Sequence, residues 1–176
     1  MKKILTLMIV LAMVFAMAAC GGTQPATPSG DAGETTQATV GQKTPDFVFE
    51  YKGTEITLHA DARPILEKLG EPVKYTESAS CAFDGLDKSY YYGSFYLETY
   101  PQCGGEWDYG WWFADDSVTT EEGIYIGSTQ ADVEKAYGAE NYNGTNAYVV
   151  ARGDGTLTVI LENGAVSSIQ YAINLG

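Results

Sequence analysis

A chain of 176 residues carries 10 Lys and Arg against 23 Asp and Glu, a formal charge of −13, with one His and three Cys. A field of that sign repels phosphate backbones and anionic lipid, so nucleic acid and unaided membrane adhesion are set aside as partners. One His and three scattered Cys cannot supply the ligand cluster of a zinc site, and no metal or cofactor is expected.

At the N-terminus Lys2 and Lys3 precede an apolar run from Ile4 to Ala19, followed by Cys20 and two glycines. This is the layout of a secretory signal, and the run falls short of the roughly 20 apolar residues a membrane span needs. The stretch Ala16-Met17-Ala18-Ala19-Cys20 resembles the lipobox of bacterial lipoproteins, with Met17 where Leu is usual. The resemblance implies cleavage before Cys20, acyl chains such as palmitate on its sulfur, and a protein anchored to the outer face of the cell membrane. Each buried CH₂ of such a chain contributes about 0.8 kcal/mol, so two or three chains hold the protein without a transmembrane helix. The other readings of these residues are an ordinary signal peptide with an incidental cysteine and a retained signal anchor.

Three segments follow: a signal peptide over 1–19, a lipidated cysteine and flexible linker over 20–45, and a folded domain over 46–176. The linker is made of Gly, Thr, Pro, Ser, Gln and Ala with almost no large apolar residue, so it cannot offset its ordering entropy. A coil of about 25 residues reaches roughly 25–30 Å, enough to lift a domain off a membrane. Once the two leader lysines are removed, eight basic residues face 23 acidic ones, a formal charge near −15.

In the domain, two alternating runs, Phe47 to Tyr51 and Thr54 to Leu58, flank Lys52-Gly53 and predict a hairpin. Asp61 is placed to cap a helix over Ala62 to Leu69, with Pro64 in its first turn and Gly70 ending it. Period-two runs then predict strands over Lys74 to Ala82, Ser89 to Gly93, Ser94 to Tyr100 and Trp107 to Ala114, broken at Asp84-Gly85 and Gly104-Gly105. Val118 to Ile126 leads into a second helix, capped by Ser128 or Thr129, running through Val133 and Tyr137, and stopped by Gly138. A meander of Ala147 to Ala151, Thr156 to Leu161 and Ala165 to Ile173 closes the chain, turning at Gly153-Asp154-Gly155 and at Asn163-Gly164.

An offset of 68 residues superposes Ile56 on Ile124, Leu58 on Ile126, Ile65 on Val133, Leu69 on Tyr137 and Gly70 on Gly138. The expected fold is therefore α+β: two helix-plus-antiparallel-meander repeats, about 46–117 and 118–176, forming a sheet with helices packed on one face. The run Gly123-Ile124-Tyr125-Ile126-Gly127-Ser128-Thr129-Gln130-Ala131-Asp132-Val133-Glu134-Lys135-Ala136-Tyr137-Gly138 resembles the helix opening of tandem repeats in beta-lactamase-inhibitory-protein-like domains. The small outer-membrane assembly lipoproteins of the BamE type have a similar half-unit. Ser80-Cys81-Ala82-Phe83-Asp84-Gly85-Leu86-Asp87-Lys88 and the aromatic strand after it are similar to small Gram-positive lipoproteins of this fold. The likeness spans about 46–176 and implies a fold rather than an activity. The inhibitory protein's contact residues find no position-by-position match here.

Cys81 and Cys103 remain once Cys20 is lipidated, and in an oxidising compartment they are expected to pair. Such a bridge contributes on the order of 3 kcal/mol by restricting the unfolded chain. The alternative is two buried thiols. One bridge also departs from the one-per-repeat pattern of the inhibitory protein.

No enzyme is expected. His59 is the only histidine on which a triad could be built, it stands just before the cap Asp61, and the chain has no Gly-x-Ser-x-Gly elbow. Asp84 with Asp87, Asp115 with Asp116, and Glu121 with Glu122 read as turn chemistry, and none has the ligand spacing of an EF-hand loop. A carboxylate-dependent hydrolase would require such side chains to converge in a pocket beside the aromatics. The aromatic strands carry the functional expectation. Strict alternation puts Trp107, Tyr109, Trp111 and Phe113 on one face and Trp112 on the other. Tyr91, Tyr96, Tyr100 and Trp112, or the opposite set with Trp107, Tyr109 and Trp111, would line an open face that binds an envelope or extracellular protein, since Tyr and Trp anchor interfaces. The expected function is a non-catalytic binding module, with an envelope structural or assembly role as the alternative.

Overall fold

The computed structural model describes residues 47–175, so the expected signal peptide, Cys20 and the linker lie outside the described residues. In chain order the elements are β1 (Val48–Tyr51), β2 (Thr54–Thr57), α1 (Ala62–Leu69), β3 (Lys74–Ala79), β4 (Leu86–Tyr91), β5 (Phe95–Gln102) and β6 (Gly105–Phe113). They continue as α2 (Gln130–Tyr137), a single 3-10 turn at Ala139–Asn141, β7 (Ala147–Arg152), β8 (Gly155–Glu162) and β9 (Ala165–Ile173).

Turn chemistry sets the strand pairing. Lys52-Gly53, Cys103-Gly104 and Asn163-Gly164 each place two successive residues at positive φ. That is the geometry of a type I′ turn, whose twist matches that of the strands it joins. The turn expected at Gly104-Gly105 sits one residue earlier, because Gly105 already pairs with Gln102 in the ladder. The helices end as their sequences predict. The Asp61 carboxylate accepts from the Arg63 N–H at 3.1 Å to open α1, and Thr129 and Asp132 form a reciprocal capping box on α2. Gly70 (φ 74°) and Gly138 (φ 86°) close the two helices.

β1 and β2 form their own hairpin, and the other strands form one sheet in the order β3-β4-β5-β6-β9-β8-β7, antiparallel throughout. The centre of that sheet is its narrowest ladder. β6 meets β9 through Gly110 with Ala172, Trp111 with Tyr171, and Trp112 with Gln170.

One apolar cluster holds the elements together. Trp111, 0 % exposed, stacks on Tyr171 at 4.8 Å, and Phe49 of the first hairpin meets Phe95 at 4.9 Å and Phe113 at 5.2 Å. Ile65 of α1 and Val133 and Tyr137 of α2 belong to the same cluster. Burying a side chain of this size stabilises by about 1.5–3 kcal/mol, so the hairpin, helices and sheet are coupled through shared rings. The protein is thus an α+β fold dominated by antiparallel sheet.

The alternation expected for β6 does not hold along its whole length. Glu98 pairs with Gly110 but Thr99 pairs with Asp108, leaving Tyr109 as an extra residue in β6. A bulge of this kind resets which side chains share a face. Trp111 and Phe113 are buried in the core, whereas Trp107 and Tyr109 are only half-buried.

Candidate functional site

The register of β4, β5 and β6 sets Tyr91 against Tyr96 and Tyr96 against Trp112. Their neighbours along each strand, Tyr90, Leu97 and Trp111, turn into or against the core cluster, so this trio faces the opposite side. The rings stack at 4.5 and 4.7 Å between centroids, with planes 26° and 21° apart. All three are half-buried. The row continues across the sheet through Gln170, Thr158 and Val149, and on the other side to Lys74. Flat aromatic surface in register over three strands is a ready-made contact platform with little rotamer entropy to lose.

At one end of β4 to β6 the same three strands form a pocket of about 330 Å³. Asp87, Glu98, Tyr100 and Tyr109 line it, and the loop carrying Cys81 and Phe83 forms its wall. The loop is held by a Ser80 N–H to Gly85 carbonyl bond of 3.0 Å, and the Ser80 hydroxyl accepts from the Ala82 and Phe83 N–H groups at 3.3 Å. Phe83 lies 5.2 Å from the Tyr100 ring and Tyr109 lies 6.3 Å from it. His59 approaches from the segment before α1, 6.3 Å from Tyr100 and 5.5 Å from Trp107, with its N–H donating to the Asp108 carbonyl at 3.0 Å.

Polar groups here are poorly satisfied. Asp87 Oδ1, Glu98 Oε1 and the Tyr100 hydroxyl are withdrawn from water with no hydrogen-bond partner. Burial raises the Glu98 carboxyl above its ordinary range. A hydrogen bond from Ser89 opposes the shift and the neighbouring Asp87 charge adds to it. Burial likewise raises Tyr100, with Asp108 adding to the effect.

Glu106, on β6, shows the opposite arrangement. Burial would raise its carboxyl, but donors at Lys88 (2.7 Å), Tyr90 (2.5 Å) and Thr99 (2.8 Å) outweigh it and hold the group below its usual range. A carboxylate with three donors is a structural tie. One left without a partner is a candidate for binding or chemistry.

Apart from Asp87, the acidic pairs singled out from the sequence are either tied into the fold or exposed. Glu122 receives bonds from Arg152 and, at 2.8 Å, from Tyr137, while Glu121 stands 3.8 Å from Arg152. Asp115 caps its own turn by accepting from the Ser117 N–H at 2.9 Å, and Asp84 and Asp116 are exposed. Among the described residues no group of three or more His, Cys, Asp or Glu could hold a metal ion, and no helix is long and apolar enough to cross a membrane. Cys81 and Cys103 are both exposed rather than buried, and no disulfide joins them in this structure.

Of the aromatic residues expected to bind, Tyr91, Tyr96 and Trp112 form the stacked row, Tyr100 and Tyr109 line the pocket, and Trp107 stands beside His59. Trp111 is the exception. It is fully enclosed by the core and presents nothing to a partner.

Sequence reasoning missed the pairing of Asp87 with Glu98, because it matched carboxylates along the chain rather than across a hairpin. The signal lay in Gly93-Ser94. A two-residue turn there, with Gly93 at φ 94° and the Tyr92 N–H bonded to the Phe95 carbonyl at 2.9 Å, sets Ser89 against Glu98. Asp87 lies two residues from Ser89 and therefore on the same face.

Fold and site together define an α+β protein with an aromatic platform and an acidic, aromatic-walled pocket. No protein family, curated protein or solved structure matches the chain.

Proposed function

We propose that this protein is an exported lipoprotein, anchored through Cys20 to the outer face of the cell membrane, that binds a partner protein without catalysis through the Tyr91, Tyr96 and Trp112 row. The observation that carries the reading is the in-register stacking of three half-buried aromatic rings on the side of the sheet away from the core. Interface hot spots are enriched in such residues, and the chain's formal charge of −13 favours a partner of opposite charge.

The tandem-repeat reading of the fold is supported by two offsets. α2 begins and ends 68 residues after α1. The β8–β9 hairpin begins and ends 60 residues after the β5–β6 hairpin, with the same turn type at Cys103-Gly104 and Asn163-Gly164. An insertion between helix and hairpin in the first unit accounts for the difference, since β3 occupies that stretch. Ile65 and Val133, matched by the helix offset, both enter the single core cluster, which supports helices packed on one face. The beta-lactamase-inhibitory-protein-like resemblance rests on this same architecture.

Two experiments test the proposal. A photo-crosslinking residue placed at Tyr96 or Trp112 in cells is expected to give a discrete protein adduct that the same residue at Thr119 does not. Equal labelling from all three positions would sink the binding reading. Replacing Tyr96 and Trp112 together by alanine should abolish the adduct formed from position 91 while the protein still unfolds cooperatively, because both rings lie on the side of the sheet away from the core cluster. Protein purified from native membranes should carry acyl mass on Cys20. An unmodified Cys20 removes the anchor.

Cys81 and Cys103 lie on the β3–β4 and β5–β6 connections, at one end of the sheet, with Gly85 of the first connection packed against Pro101. That placement supports the expected bridge in an oxidising compartment. A second reading, a carboxylate-dependent hydrolase, is favoured by the convergence of Asp87 and Glu98 in one pocket. It requires turnover of a glycoside or peptide that stops in Glu98→Gln.

A further inference from the structure

Buried polar atoms without partners are uncommon in native proteins, because each forfeits its bonds to water for nothing in return. Here three of them, on adjacent strands, belong to side chains that line one pocket: Asp87 Oδ1, Glu98 Oε1 and the Tyr100 hydroxyl. Tyr100 is only 3 % exposed, so its hydroxyl has no route to bulk water as an alternative partner. No Lys, Arg or His lines the pocket to neutralise the two acids. Two other partly buried carboxylates in this fold do receive an internal counter-ion, Glu106 from Lys88 and Glu122 from Arg152. The charge balance at Asp87 and Glu98 has been left open.

The shape of what would close it follows from donor counting. The open atoms are three in number, from three different side chains, and all can accept: two carboxylate oxygens and the Tyr100 hydroxyl, which also carries a proton of its own. A primary ammonium carries three N–H donors on one compact charge, whereas a guanidinium presents a flat fork suited to both oxygens of a single carboxylate. Each acid here offers one withdrawn oxygen, and the Glu98 carboxyl is already engaged by Ser89. The wall opposite is apolar and aromatic, formed by Phe83 and Tyr109 beside the loop. It suits an alkyl stem and attracts a cation to its ring faces. A volume of about 330 Å³ admits something of side-chain size.

We propose that this pocket binds a primary ammonium group on an apolar stem, with Asp87, Glu98 and Tyr100 as its three acceptors. The ammonium comes either from a lysine side chain of a peptide or from a free alkylamine. The inference rests on the pocket and not on the Tyr91, Tyr96 and Trp112 row, so either can fail alone.

Titration calorimetry on the full-length protein tests it with four compounds: Nα-acetyl-lysine amide, n-pentylamine, Nα,Nε-diacetyl-lysine amide and Nα-acetyl-arginine amide. The first two are expected to saturate, and whichever binds more tightly assigns the source. Acetylating the ε-nitrogen should abolish binding. Glu98→Gln and Asp87→Asn should each raise Kd at least tenfold, and Tyr100→Phe, which removes only the hydroxyl, should weaken binding without loss of fold. Melting curves of the same variants are the control. Relief of like-charge crowding should leave Glu98→Gln as stable as the parent or more so, the pattern of a site kept for binding at a cost in stability. Absence of saturable heat from both amines with folded protein overturns the proposal. So does equal affinity for the diacetyl compound, and an arginine amide that binds as tightly overturns the assignment to a primary ammonium.

Discussion

Gly110→Ala is expected to lower the melting temperature by about 10 °C or more, a large effect for one added methyl group. A Cβ at that position would lie 2.0 Å from the Tyr171 carbonyl oxygen, 2.9 Å from its carbonyl carbon and 3.0 Å from the Ala172 Cα. All three are backbone atoms of β9, which is itself paired with β8 along its length, so no side chain can swing aside. Overpacking costs about 1–3 kcal/mol where neighbours can yield. Here the obstructing strand can retreat only by opening the three-pair ladder between β6 and β9, which places the cost at or above the top of that range. Thermal and urea unfolding followed by far-UV circular dichroism measures it. An unchanged midpoint would mean that β6 and β9 do not meet in this register.

Asp108→Asn should act in the other direction. The Asp108 side chain is 0 % exposed and neither carboxyl oxygen has a hydrogen-bond partner. Burial therefore raises its carboxyl well above the usual range, opposed by the nearby backbone N–H of Gly110, which does not reach full bonding geometry with either oxygen. A group whose folded pKa is raised contributes its full stability below the unfolded pKa of 3.8. That contribution is lost as the pH rises from there toward the raised folded value. Holding the proton at pH 7 costs at most about 4 kcal/mol, the distance in pH from the unfolded value at about 1.4 kcal/mol per unit. An asparagine needs no such proton, though it leaves an amide equally unpaired. The variant is expected to be more stable than the parent at pH 7, by no more than that bound, with the difference shrinking toward zero near pH 4. Denaturation curves at the two pH values decide the matter. A variant that is destabilised by the same amount at both would show that Asp108 holds a structural bond instead.

Helix ends and hairpin turns were legible because they are local. Asp61, Thr129, Gly70 and Gly138 each answer a need for a donor, an acceptor or a positive φ within a few residues of themselves, and the structure places both helices within those bounds. Lys52-Gly53 and Asn163-Gly164 set their hairpins for the same reason. Cys103-Gly104 did not announce itself, since cysteine is no common residue at positive φ and the following Gly105 drew the break one position on.

The aromatic face was only half legible. That the strands are aromatic and alternate is written in the chain, and Tyr91, Tyr96 and Trp112 stack as a row once register is added. The bulge at Tyr109 is not so written, because it arises where β6 changes partners from the segment at His59 and Ala60 to β9. That change decides that Trp111 is core while Trp107 is not.

From its residues alone this chain determines two capped helices and the glycine turns, all of which depend on neighbours a few positions apart. Tertiary structure alone decided that β6 meets β9, that Trp111 is enclosed, and that Asp87, Glu98 and Tyr100 line one pocket with one oxygen of each unpaired. Those outcomes depend on strand register and on burial, and both are set by the packing of segments far apart in sequence, where charge repulsion and desolvation act through space rather than along the chain.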